Sequence, residues 1–110
     1  MEKSQETRTF YFAVPESRLV WRHWPEDALR TEAEPLYLVY DTVSDYTHLL
    51  NSFAVEILHL LQQKPFTWEM LVEKILEEGL VEKESFRENE IRRFIEILCW
   101  KGLLDRFSLA

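Results

Sequence analysis

The sequence predicts an α+β protein in which a small antiparallel β-sheet of three strands is followed by a three-helix bundle. Apolar residues in the first half alternate at a period of about two, which is typical of strands that bury one face. After Asn51 the period changes to about 3.6, which is typical of amphipathic helices. Hydrophobic residues make up 46% of the 110 positions. A chain of this length has room for one folded domain. No apolar run approaches the ~20 residues of a membrane span.

Four segments of the first half have the composition of β-strands. Thr9–Val14 and Val20–Trp24 are rich in aromatic and β-branched residues, and each stops at a proline. Leu36–Tyr40 and Tyr46–Leu50 flank a short segment whose aspartate and serine residues favour a turn, so these two strands are predicted to form a hairpin. The polar residues 25–35, which precede the hairpin, are predicted to be a solvated loop.

The second half begins with two predicted helices. The first is capped by Asn51 or Ser52 and ends at Lys64–Pro65. The second begins at Thr67, whose hydroxyl can cap it, and ends at Gly79. The apolar face of the first helix consists of Phe53, Ala54, Ile57, Leu58 and Leu61.

A third helix is predicted to begin at Ser85. Serine followed three residues later by Glu88 fits the capping box, and Gly102 is a natural end. Residues 103–107 then form a tail or a final strand. The core stripe of this helix consists of Ile91, Phe94, Ile95 and Leu98.

The composition argues against catalysis and against bound cofactors. Gly79 and Gly102 are the only glycines, so neither a phosphate loop nor a dinucleotide-binding loop can be built. The histidines and the cysteine do not recur at the spacing of metal ligands, and no serine lies in a G-x-S-x-G elbow. We therefore expect no enzyme activity, no metal and no cofactor.

Cysteine content and the first residues predict a cytoplasmic protein. Cys99 is the single cysteine, so no intramolecular disulfide can form, and its apolar helix favours a small buried hydrophobe over a nucleophile. Met1–Glu6 are polar and lack the apolar stretch of a secretory signal.

Five segments of the chain carry a resemblance to a known family. They are, in order, Leu38–Asp41, Tyr46–Asn51, Ala54–Leu61, Thr67–Leu71 and Ile95–Leu104. Together they resemble the PqqD family of RiPP recognition elements, small proteins similar to pyrroloquinoline quinone biosynthesis protein D, and the last segment is like the family's fLxxLxxxGLL ending. The segment around Thr47–Asn51 is most similar to the branch described as HPr-rel-A system PqqD-type peptide chaperones. Residues 1–35 form a longer front end than the smallest members have.

The resemblance implies a winged-helix relative with three antiparallel strands packed on three helices. It implies residues 36–107 as the peptide-binding domain and residues 1–35 as an extension with one or two strands, within one compact domain. Family members are not enzymes. They hold the leader segment of a ribosomally made precursor peptide and present it to a modifying enzyme. The leader would add a strand beside Tyr46–Leu50 and lie against the helix at 86–101.

The candidate peptide-binding residues follow from these two elements. On the third helix, a second group clusters away from the core stripe and is a candidate groove wall, in which Arg93 would pair with an acidic leader residue. The alternative for Trp100 is packing against residues 1–35. For His48, a hydrogen-bonded core position is favoured over a peptide contact. The candidates are Tyr46, Thr47, His48, Leu49 and Leu50 on the strand, and Arg93, Ile97 and Trp100 on the helix.

Two alternative functions remain open. A winged-helix relative raises the possibility of DNA binding, but the formal charge is −7, and residues 36–85 hold 3 basic and 9 acidic side chains. A DNA reader needs a strongly cationic recognition helix, so no nucleic-acid partner and no membrane partner are expected. A generic interaction or dimerisation module uses the same exposed strand edge. The chain is expected to be a monomer or a weak dimer.

Overall fold

The computed structural model describes residues 7–23 and 36–109, which contain six strands and three α-helices. The α+β class is therefore confirmed. The loop predicted at residues 25–35 lies outside the described residues, as do residues 1–6. In chain order the elements are β1 (Arg8–Ala13), β2 (Leu19–His23), β3 (Leu36–Asp41), β4 (Tyr46–Asn51), α1 (Ser52–Gln63), β5 (Phe66–Thr67), α2 (Trp68–Glu77), α3 (Glu88–Trp100) and β6 (Leu104–Leu109).

The strands form two antiparallel sheets of three strands, where the sequence predicted one. The first sheet has the order β2-β3-β4 and contains the predicted hairpin, and the second has the order β5-β1-β6. In the second sheet β1 and β6 pair along their whole length, from Arg8 opposite Leu109 to Ala13 opposite Leu104. Pairing between segments so far apart in the chain has no local sequence signal. Both strands of the predicted front extension, β1 and β2, are thus built into sheets with later strands.

Helix α1 lies at the centre of the molecule because it contacts β1 of the second sheet as well as β3 and β4 of the first. A helix that meets neighbours on several sides must be apolar around most of its circumference. The buried residues of α1 are Ala54, Val55, Ile57, Leu58, Leu60 and Leu61.

The predicted caps of the first two helices are confirmed. Asn51 Oδ1 accepts a hydrogen bond from the Ala54 backbone N–H at 2.9 Å, and Thr67 Oγ1 accepts one from the Met70 N–H at 3.2 Å. Such caps stabilise a helix by about 1 kcal/mol each. Asn51 also ends β4, so the cap fixes the direction in which the chain passes from strand to helix.

The capping box predicted for α3 is wrong. Ser85 ends a short 3-10 turn, and α3 begins at Glu88 after Arg87, which makes no side-chain cap. The Glu88 carboxylate is engaged elsewhere: its Oε2 accepts a hydrogen bond from the Trp68 indole Nε1 at 2.7 Å and lies 3.4 Å from Arg92 Nη2. A contact with α2 therefore replaces the local cap.

A buried ion pair fixes the hairpin that carries β4. Asp41, the last residue of β3, is only 1% exposed and accepts hydrogen bonds from Arg18 Nε at 2.6 Å and Arg18 Nη2 at 2.7 Å. Its Oδ1 also accepts the Val43 N–H at 3.0 Å, inside the turn. The Arg18 guanidinium holds the pKa of Asp41 well below its usual range. The sequence analysis missed this pair, because nothing local joins Arg18 to Asp41.

Candidate functional site

The outer edge of β4 is open in the described part of the chain. In the order β2-β3-β4, strand β4 pairs with β3 on one side and with no described strand on the other. Along such an edge, alternate backbone N–H and C=O groups point away from the sheet and have no ladder partner. This six-residue strand can therefore accept a further strand through its main chain.

The five predicted residues of β4 divide between its two faces. His48 and Leu50 are buried on the inner face, whereas Thr47 and Leu49 are exposed on the outer face. Tyr46 begins the strand and is 67% exposed. The alternation follows from the period of two in a strand. Because they are exposed, Tyr46, Thr47 and Leu49 are the side chains of this strand that a ligand can reach. Main-chain binding at the edge needs no particular side chain.

His48 is buried, but it is not the hydrogen-bonded residue that the favoured prediction assumed. Its side chain is 8% exposed, and its Nε2 has no hydrogen-bond partner among the described residues. Burial lowers the pKa of His48, the nearby positive charge of Lys101 lowers it further, and Asp41 acts in the opposite direction. Burial and the charge of Lys101 therefore both favour the neutral imidazole.

Helix α3 contacts α1 just after the end of β4. The Phe94 ring on α3 lies 5.0 Å from the ring of Phe53, the second residue of α1. The Phe94 side chain is half-buried in this contact.

The three residues predicted on α3, namely Arg93, Ile97 and Trp100, lie together on one side of that helix. All three line an open depression of about 450 Å³, which they share with Asp105 and Arg106 of β6. Trp100 is 88% exposed. The alternative, packing of Trp100 against residues 1–35, is therefore not found for residues 7–23, the part of that segment that the structure describes. No hydrogen bond, ion pair or ring contact joins these three residues to β4 within residues 7–23 and 36–109.

Asp105 and Arg106 were missed by the sequence analysis as neighbours of these three residues. Both lie on β6, a segment that was predicted only as a tail or a final strand. Strand β6 contacts α3 and pairs with β1, and no local pattern predicts that pairing.

The depression on the outer side of α3 offers no reactive group. Arg106 makes a bidentate ion pair with Glu96, with hydrogen bonds of 2.8 and 3.0 Å. This pairing lowers the pKa of the Glu96 carboxyl. Burial raises the pKa of the Cys99 thiol, which therefore stays protonated at neutral pH and is a poor nucleophile.

Comparisons with known proteins found no matching family model, no matching curated protein and no matching solved structure. The resemblance to the PqqD family stays a prediction. Among the described residues, no three histidine, cysteine or carboxylate side chains come together to hold a metal ion, and no helix is long and apolar enough to cross a membrane.

Proposed function

We propose that this protein is a non-catalytic, cytoplasmic peptide chaperone. It captures the leader segment of a ribosomally made precursor peptide by strand addition at the edge of β4, and it presents that peptide to a modifying enzyme. The observation that carries the proposal is the edge of β4, which pairs with no strand on its outer side in the described part of the chain. The resemblance to the PqqD family, and through it to winged-helix proteins, is in line with the same site.

The physical chemistry of the β4 edge suits an extended peptide. Backbone hydrogen bonds to the edge supply affinity without regard to sequence, and side-chain contacts on the two faces supply selectivity. On the outer face, a bound strand would lie beside Thr47 and Leu49. Tyr46 and Leu49 are the exposed apolar side chains of β4 that such a strand would cover in part. Burial of such half-exposed apolar groups favours binding by roughly 25 cal/mol per Å².

The test is a titration of isotope-labelled protein with synthetic peptides that match short open reading frames beside the gene. We expect a binding peptide to shift the amide resonances of residues 46–50 and those near Ile97. Scrambled peptides of the same composition serve as the control. Shifts confined to residues 7–23, or binding that leaves residues 46–50 unchanged, would overturn the proposal.

A matched pair of variants tests the edge itself. Leu49→Lys places a charge on the exposed face of β4, where lysine discourages added strands, whereas Val43→Lys places the same charge in the exposed β3–β4 turn. We expect Leu49→Lys to weaken peptide binding and Val43→Lys to leave it unchanged. Equal effects of the two variants would show that the peptide does not lie along β4.

Dimerisation through the same edge is the competing outcome. Sedimentation of the protein alone and with a peptide distinguishes the two. A stable dimer whose β4 edges already pair with one another, and which the peptide does not dissociate, would contradict peptide capture.

A further inference from the structure

Strand β6 provides a second open edge, in the sheet to which β4 does not belong. In the order β5-β1-β6 it pairs with β1 on one side and with no described strand on the other. Of its six residues only Leu104 is buried. The strand holds neither lysine nor proline, which commonly protect exposed edges. Its main chain is therefore open to a further strand.

The hydrogen bonds between β1 and β6 indicate which groups face this edge. The Val14 N–H donates to the Leu103 carbonyl at 3.1 Å, in the register that the two strands continue. Because bonded and non-bonded pairs alternate in an antiparallel ladder, Phe107 directs its N–H and C=O towards β1, and Arg106 and Ser108 direct theirs to the open edge. The Arg106 N–H agrees with this, since it donates to the carboxylate of the preceding residue at 2.8 Å.

The depression shared by α3 and β6 lies beside the same edge. Its residues from β6 are Asp105 and Arg106, which are consecutive and therefore point to opposite faces of the strand. A depression that reaches both, and whose other lining residues lie on α3, lies at the edge between the two faces. Ile97 and Trp100 are its exposed apolar residues. The open backbone of β6 is thus bordered by apolar side chains of a helix.

The charges at this edge suit a second copy of the chain. The whole chain carries a formal charge of −7, which makes two copies repel each other in general. The depression, in contrast, has two basic and two acidic lining residues, so its formal charge is zero. Two copies can therefore meet here without net repulsion. The four residues are Arg93, Arg106, Glu96 and Asp105.

We propose that two copies of this chain associate by antiparallel pairing of β6 with β6, around a twofold axis beside Phe107. The two three-stranded sheets then form one sheet of six strands. The Phe107 ring is 38% exposed and lies 5.4 Å from the Phe10 ring and 5.7 Å from the Phe12 ring, so pairing joins two aromatic clusters into one. The edge of β4 stays free in both copies, and the association does not depend on peptide capture.

The register follows from charge and from the direction of the main-chain groups. The middle of β6 lies between Arg106 and Phe107, so the axis that pairs the most residues passes beside one of them. An axis at Arg106 would place two guanidinium groups opposite each other, which is destabilising. An axis at Phe107 places Arg106 opposite Ser108 of the second copy, and the two residues can exchange two hydrogen bonds. The Ser108 carbonyl then replaces the Asp105 carboxylate as the acceptor of the Arg106 N–H.

Sedimentation of the full chain without peptide is the first test. An interface of one strand and one helix side is at the small end of the size range, so we expect a reversible dimer that forms between roughly 10 µM and 1 mM. Over this range the amide resonances of residues 104–109 should shift with concentration, and those of residues 46–50 should not. A chain that stays monomeric throughout, or shifts in residues 46–50 instead, would overturn the proposal.

The variants Ser108→Pro and Ser108→Ala test the main chain. Both remove the hydroxyl, but only proline removes the N–H that faces the open edge, and the ladder to β1 does not use that N–H. We expect Ser108→Pro to weaken association by about 10-fold or more, because the twofold axis removes the hydrogen bond twice, and Ser108→Ala to change it less than about 2-fold. Circular dichroism verifies that both variants are folded. Equal association of the two would overturn pairing through the β6 main chain.

A disulfide cross-link tests the register in a Cys99→Ala background, which lacks the native cysteine. Phe107→Cys places two cysteines directly opposite each other at a Cα separation of about 4.5 Å, which a disulfide can bridge. Leu109→Cys, on the same face, places them about 14 Å apart, which is too far. With oxidised glutathione as the oxidant, we expect a covalent dimer of the first variant and little of the second. Equal cross-linking of the two would overturn the register around Phe107.

Discussion

Replacing Asp41 by alanine removes the contact that holds the hairpin carrying the proposed peptide-binding edge. The Asp41 carboxylate is buried at the end of β3 and receives two hydrogen bonds from Arg18 and one from the Val43 N–H. The variant therefore leaves a guanidinium without its anion and a turn N–H without its acceptor. We expect lower global stability and faster amide exchange in β4.

The magnitude follows from the burial of the two partners. Removing one partner from a buried ion pair costs about 3–5 kcal/mol, because the other charge remains without compensation. The Arg18 side chain retains 26% exposure, so water can partly hydrate the guanidinium after the substitution. The Val43 N–H lies in an exposed turn and can also bond to water. The lower limit of the range, about 3 kcal/mol, is therefore expected.

The assay is urea unfolding followed by circular dichroism, with Asp105→Ala as the matched control. Asp105 is an exposed carboxylate of β6 that accepts only the neighbouring Arg106 N–H, and its loss should change the free energy of unfolding by less than about 0.5 kcal/mol. The double variant with Arg18→Ala should lose less unfolding free energy than the sum of the losses in the two single variants. A loss for Asp41→Ala no larger than that for Asp105→Ala would refute the reasoning.

The same ion pair sets a pH dependence. Because the pKa of Asp41 is lower in the folded state than in the unfolded chain, the pair contributes fully above the unfolded value of about 3.9. The contribution is lost as the pH falls below that value towards the folded pKa. Unfolding measured across this acid range should therefore show a smaller pH dependence in Asp41→Ala than in the unaltered chain. An unchanged slope would contradict this linkage.

Three further substitutions test individual contacts. Asn51→Ala removes the side-chain cap of α1 and should lower the free energy of unfolding by about 1 kcal/mol, measured by urea unfolding. Trp68→Phe removes the indole N–H that bonds to Glu88 and should cost about 1.5–3 kcal/mol by the same assay. Lys101→Met removes a positive charge beside His48 and should raise the pKa of that imidazole, measured from its ring proton shifts.

Each of these three substitutions has a control of the same type. Ser52→Ala alters the first residue of α1, which supplies no cap bond, and should have less effect than Asn51→Ala. Trp100→Phe alters a tryptophan whose side chain is almost fully exposed and should be nearly neutral. Lys83→Met should leave the His48 pKa unchanged. If a control variant changed the measured stability or pKa as much as its test variant, the named contact would not be the cause of the change.

The parts of the fold with a local pattern were predicted from the sequence. The β3–β4 hairpin and the caps at Asn51 and Thr67 depend on turn and cap residues that lie within a few positions of one another. The capping box at Ser85 failed because the Glu88 side chain bonds to a tryptophan of another helix. Local motifs are reliable only where no tertiary contact competes for the same side chain.

In the candidate site, too, only the features with a local sequence pattern were predicted. The exposed and buried faces of β4 follow from its alternation, and the burial of His48 was predicted. Which strand lies beside the outer side of α3 was not predicted, because a helix can place any side against a neighbour until the packing is known. Arg93, Ile97 and Trp100 share their depression with β6 and not with β4.

The most direct test of peptide capture is the measurement of backbone nuclear Overhauser effects between a bound peptide and residues 46–50. The peptide is one selected from a random library or encoded beside the gene. Strand addition predicts an alternating set of contacts between the peptide backbone and β4, with β2 and β3 unchanged. Backbone contacts to β6, or side-chain contacts alone on the outer side of α3, would contradict it.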